Sequence, residues 1–220
     1  MGPMLASLAA LVLTDQARPL TSGPGIRREV ALTFDACQTK KVSGYDAKVI
    51  KVLKDTNTKA TLFLGGAWVQ SHPQQATALG RDPHFEIAQH SFLHPHFKTL
   101  SRNGALSDLK LAQDAVRKAT GHTPSFFRPP YGEWDKKTLE AAAELGLRTV
   151  LWSVVTGDPD KHVTAKDIVS AVLKGVKPGA IVIMHMNGHG WHTAEALPTV
   201  IAGLRAKGYT LVRLSELMRK

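Results

Sequence analysis

The chain has one cysteine in 220 residues, so an intramolecular disulfide is excluded. A chain of this length buries enough surface to fold without one. Aromatic residues make up 6% and are not interleaved with basic ones. The formal net charge is +10, yet no basic run exceeds two residues, as in Lys40-Lys41 and Lys136-Lys137. The compact basic tract of a nucleic-acid binder is therefore missing, and nucleic acid is not an expected partner. The surplus charge suits solubility or an anionic polymer instead. Long hydrophobic runs are also missing. The apolar stretch "MLASLAALVL", Met4 to Leu13, is too short to span a bilayer but matches the apolar centre of an export signal. No Lys or Arg precedes it, and "DQA" ending at Ala17 is a poor cleavage site. Residues 1–24 are expected to form an N-terminal segment, an imperfect signal peptide. That places the protein in the periplasm, the cell envelope or the medium. The same run folded as a buried or frayed helix would leave it cytoplasmic. No transmembrane segment is expected, and neither repeats nor linkers divide residues 25–220.

Hydrophobic residues at 43% and charged ones at 21% are ordinary for a globular chain. Short β-rich runs recur at 29–34, 60–65, 85–89, 125–128, 148–152, 180–185 and 210–214. Segments of helical spacing alternate with them. The stretch from Leu100 to Thr120 places Leu106, Leu109, Ala112, Ala115, Val116 and Ala119 on one face. Asp135 to Gly146, Thr164 to Gly175 and Thr193 to Gly208 carry start and stop signals, with Asp167 completing a cap at Thr164. Pro198 predicts a kink in the last of these. Such alternation, with apolar strands, predicts an α/β fold: one parallel sheet, closed or nearly closed into a barrel of about seven β/α units.

In such barrels chemistry sits at the C-terminal ends of the strands. Asp35 follows the first strand, and "HSFLHPHF" (His90, His94, His96) the third. "RPPYG" from Arg128 follows the fourth, Trp152 and Asp158 the fifth, and "HMNGHGWH" with His185, His189 and His192 the sixth. His90 and His94 can aim two neutral imidazoles at one divalent ion such as zinc. Asp35, desolvated at the barrel mouth and oriented by Arg128, suits a general base. After Pro129 and Pro130, Tyr131 has the first available backbone N–H, a candidate oxyanion donor. His185 suits a ligand or a general acid. His189 and His192 are expected to face solvent, and Asp46 to cap a helix.

These residues, "LTFDAC", "HSFLHP", "RPPYG" and "IVIMH" before "TAEALP", resemble the motifs of NodB-type polysaccharide deacetylases, carbohydrate esterase family 4, from about Val30 to Leu217. The resemblance implies a distorted (β/α)7 barrel in a single domain and hydrolysis of N- or O-acetyl groups on a polysaccharide or peptidoglycan. It implies His90 and His94 as ligands of a divalent metal, Asp35 as base, His185 as acid and Arg128 as the group orienting Asp35. Pro130, the Tyr131 N–H and Trp152 would contact substrate, and Asp158 would support His185. The family pattern is usually T-F-D-D, its second aspartate a metal ligand, and here Ala36 stands in that place. Asp35 could swing onto the metal, Asp46 could reach in, Cys37 could supply a thiolate, or the two histidines could bind alone. Along extended backbone Cys37 is expected to point away from the ligand position, as a small buried hydrophobe. The alternatives are a small-molecule amidohydrolase of the allantoinase-like branch, with or without metal, and a weakened carbohydrate-binding protein.

Overall fold

The computed structural model describes residues 17–38 and 44–219; the apolar run at Met4–Leu13 lies outside them. Among the described residues eight strands make one sheet: β1 (Glu29–Ala36), β2 (Ala60–Leu64), β3 (Phe85–Gln89), β4 (Phe126–Phe127), β5 (Arg148–Thr149), β6 (Val154–Val155), β7 (Ala180–His185) and β8 (Thr210–Leu211). Their order is β5-β4-β3-β2-β1-β7-β6, with β8 against the start of β1. Every strand pairing is parallel. The helices that cover it are α1 (Ala47–Asp55), α2 (Gly66–Ser71), α3 (Pro73–Arg81), α4 (Arg102–Thr120), α5 (Lys136–Glu144), α6 (Ala165–Gly175), α7 (Thr193–Ala206) and α8 (Leu214–Leu217).

The expected fifth strand, 148–152, is reduced to β5 at Arg148–Thr149, and a second short piece, β6, follows at Val154–Val155. The first pairs with β4 and the second with β7, so a single stretch of chain joins the two ends of the sheet and curls it into a distorted barrel. Leu20 fills the break by exchanging backbone hydrogen bonds with Thr149 and Leu151, so the segment before residue 25 contributes to the closure. The pairs α2 and α3, which the sequence reading did not identify, carry the chain from β2 to β3.

Strand periodicity sorts β1 into two faces. Val30, Leu32, Phe34 and Ala36 join the large core under the helices. Ala31 packs inside the barrel with Phe63, Ala88, Val150 and Ile181, and Thr33 and Asp35 continue that inner row toward the mouth. Capping follows the sequence closely in α6, where Thr164 and Asp167 form a reciprocal box. Helix α7 runs as one element through Pro198. Its first residue, Thr193, turns its hydroxyl to Asp158 instead of capping.

Candidate active site

The C-terminal ends of the strands surround a cavity of about 350 Å³. Its floor is the Asp35–Arg128 pair. Arg128 enters from the end of β4 and is fully buried, as is Asp35. Arg128 Nη1 donates to Asp35 Oδ1 at 2.6 Å, and Nη2 to Thr33 Oγ1 at 2.8 Å and the Leu151 carbonyl at 3.2 Å. The guanidinium also lies 4.0 Å from the Phe63 ring centroid, a contact favourable to a desolvated cation. Burial alone would push the Asp35 carboxyl up. Arg128, then His90 and His185, outweigh it and hold the group below the ordinary carboxylate range. Asp35 is thus an ionised, fixed carboxylate.

On one wall stands His185, the last residue of β7. Its Nδ1 lies 2.9 Å from Asp158 Oδ1, and its backbone N–H donates to Asp158 Oδ2 at 2.7 Å. Asp158 is buried, so Nδ1 carries a hydrogen and Nε2 is left for the cavity. Burial pushes the imidazole down, but the Asp158 hydrogen bond and charge, with Asp35 adding, raise its pKa overall. Thr156 and Thr193 hydroxyls donate to the same carboxylate at 3.0 and 2.7 Å. Gly190 closes against this cluster: a Cβ there would lie 2.5 Å from the His185 carbonyl oxygen, so no larger residue fits.

The opposite wall holds His90 and His94, with ring centroids 5.0 Å apart. Their loop is held by Asp108, which accepts from the Phe92 and Leu93 N–H groups. Ser91 and His94 take left-handed backbone angles, φ 63° and 58°, as does Tyr131 at 59°. Three non-glycine residues in that region around one cavity amount to localised strain of the kind found at functional sites. In "RPPYG" the N–H groups of Gly132 and Glu133 close the turn on the Pro129 and Pro130 carbonyls. The Tyr131 ring stacks on His96, centroids 4.3 Å apart. Gly132 packs under Trp152, where a Cβ would come within 2.9 Å of the indole. Trp152 lines the cavity beside Pro129, Tyr131 and Ile183.

The donors on this wall fit a borderline-soft divalent ion. His90 Nδ1 is 2.8 Å from the Arg128 carbonyl oxygen, which can only accept, so Nε2 bears a lone pair. That lone pair faces Asp35 Oδ2 at 3.6 Å, an arrangement of two acceptors that a cation between them would satisfy. Burial pushes His90 below the ordinary imidazole value; burial, then the neighbouring His90, push His94 to about 3. Both rings are therefore neutral and ready to ligate at neutral pH. Cys37, His90 and His94 offer donor atoms within 4.8 Å of one another.

Asp46 caps α1 as expected, its side chain accepting from the Lys48 and Val49 N–H groups, so it does not reach the site. Two expectations are corrected. His189 lines the cavity rather than facing solvent, while His192 lies outside and meets Glu195. Cys37 is buried as expected, but it is Ala36 that points away, into the core under the helices, and the cysteine lines the cavity. Asn187, Thr33, Thr156 and Thr193 were missed. These four act by hydrogen-bonding to residues distant in the chain, and only the pairing of strands shows what each one holds.

The family model for polysaccharide deacetylases matches residues 22–150. The chain is 32% identical over 200 residues to a peptidoglycan-N-acetylglucosamine deacetylase of Bacillus cereus, covering 90% of this chain and 71% of that protein. It is 33% identical over 174 residues to the uncharacterized protein YlxY of Bacillus subtilis, covering 79% of this chain; the match spans about half, 53%, of YlxY. Among solved structures, BA3943, a CE4 family pseudoenzyme from Bacillus anthracis, superposes with a TM-score of 0.83 at 30% identity, over 92% of this chain and 69% of that one. A mutant of BA3943 has restored enzymatic activity. The chain belongs to the polysaccharide deacetylase family.

Proposed function

We propose that the protein removes acetyl groups from an N- or O-acetylated polysaccharide, with peptidoglycan amino sugars as the favoured substrate. The observation that carries this is an ionised carboxylate, Asp35, beside an Nε2-presenting imidazole, His185, at paired positions of the adjacent strands β1 and β7 in one cavity. A hydrolysis that must first activate water and then protonate a poor leaving group needs both.

The acetyl group would enter with its methyl against Trp152 and its carbonyl oxygen toward the Tyr131 N–H, which stabilises the developing oxyanion. Asp35 takes a proton from the attacking water, while Arg128 fixes the carboxylate and keeps it ionised. His185, protonated and held by Asp158, then gives its Nε2 proton to the departing amine or alcohol. His90 and His94 would hold a divalent ion, zinc by the nature of these donors. When bound, it supplies Lewis-acid polarisation and makes water more acidic. The net charge of +10 suits an anionic cell wall, and such a substrate places the protein in the envelope or outside the cell.

The test is incubation with N-acetylated chitooligosaccharides and with peptidoglycan, following free acetate and new primary amines. Matching amounts of both support the proposal. Amide hydrolysis confined to small heterocyclic substrates would overturn it in favour of the allantoinase-like alternative. The Ala36 substitution and the likeness to a pseudoenzyme favour a second reading, a glycan-binding protein with little turnover. Under that reading, acetylated oligosaccharide binds and neither product appears.

A further inference from the structure

We infer that Cys37 is the third protein ligand of the metal centre, giving a site of two imidazoles and one thiolate. This rests on the metal-binding role proposed for His90 and His94. The residue at the usual ligand position cannot serve: Ala36 has no donor, and its side chain is fully buried under the helices. Asp46 is engaged at the α1 terminus; Asp35 is held by Arg128 at Oδ1, and its Oδ2, 3.6 Å from His90 Nε2, is the oxygen proposed above to take the proton of the attacking water. Cys37 lies two residues beyond Asp35 and therefore on the same face of the extended chain. Its sulfur is within 4.8 Å of the donor atoms of both histidines.

A separate feature orients that sulfur. Asn187 is fully buried, and its Nδ2 donates to the Cys37 carbonyl oxygen at 2.8 Å and to Sγ at 3.3 Å. Burial and the Asp35 charge push the metal-free thiol up to about 12, and the carboxamide donor offsets this only in part; it also fixes the direction of the sulfur, as outer partners of metal ligands do. Thiolate also supplies the single negative charge that a carboxylate ligand would have brought. Ion binding forms a metal–sulfur bond and releases the thiol proton to solvent. The soft donor favours zinc or cobalt over manganese, magnesium or calcium.

The experiment uses chelator-stripped full-length protein titrated with cobalt(II), followed by zinc competition, on wild type, Cys37→Ser, Cys37→Ala and His90→Ala. Circular dichroism melting reports the fold of each. Wild type is expected to show a thiolate-to-cobalt charge-transfer band. Both Cys37 variants should lose that band and bind at least about tenfold more weakly, the smallest loss expected even for an outer-sphere partner. Tight wild-type binding without the band, or unchanged affinity in Cys37→Ala, would overturn the cysteine ligand and leave the histidine site standing. Wild type binding no more cobalt than His90→Ala would overturn both. The wild-type band is decisive even if a variant fails to fold.

Discussion

The two walls of the cavity are built differently. On the His185 wall every Asp158 carboxylate oxygen is engaged, by the His185 ring and N–H and by the Thr156 and Thr193 hydroxyls. On the His90 wall, left-handed backbone at Ser91 and His94 presents donors toward one another, with an imidazole lone pair against a carboxylate oxygen. The first wall is complete as protein alone, a preorganised proton relay of the kind electrostatic catalysis requires. The second is shaped for a cation. Ala36, the departure expected from the resemblance, turns into the core and lies on neither wall, while the proton-handling pairs Asp35–Arg128 and His185–Asp158 are both formed. A binder relieved of catalysis has no physical need to keep Arg128 and Asp158 buried against their partners, since each buried charge carries a desolvation cost.

The sharpest way to break this contrast is at the two reacting groups. Asp35→Asn and His185→Ala should each lower acetate release by about a hundred- to ten-thousandfold, with metal content retained in His185→Ala. Next is the floor. Arg128→Met leaves the Asp35 carboxylate buried without its partner, and a loss of about 3–5 kcal/mol is expected in denaturant titrations.

A smaller effect is expected in the pH profile. Asp35 is lowered from 3.8 and His185 raised from 6.5. Base ionised and acid protonated therefore coexist from 3.8 up to at least 6.5, and the alkaline limb of turnover should lie above 6.5. The linked stability has matching signs: the Asp35 contribution is present above 3.8 and lost as pH falls through its lower folded value. The His185 contribution is complete below 6.5 and fades as pH rises through its higher folded value. Asp158→Asn removes the larger of the two groups that raise His185 and leaves Asp35 alone against the burial that lowers it, so the alkaline limb should move to lower pH. An unmoved limb would show that His185 does not set it. Smallest of all, Asp46→Ala should cost about 1 kcal/mol of stability, as for other helix caps, with turnover and metal content unchanged.

Much of this was legible in the chain itself. The strand runs and the clustering of Asp35, His90, His94, Arg128 and His185 at their exits follow from periodicity and from the position of chemistry in parallel barrels. Asp158 and Trp152 followed from the same rule. What stayed hidden depended on geometry that alternation alone does not supply. Whether Ala36 or Cys37 faced the histidines turned on the inner row set by Thr33 and Asp35. The shortening of the fifth strand required knowing that β5 and β6 meet different neighbours, β4 and β7. The polar supports, Asn187 and the three threonines, act through contacts separated by up to 150 residues in the chain.

The most direct test of the central claim is acetate release from N-acetylated peptidoglycan by the zinc-reconstituted protein, measured before and after chelation. The account predicts release that chelation abolishes and added zinc restores. A zinc-loaded, folded protein that binds the glycan and liberates no acetate would contradict it.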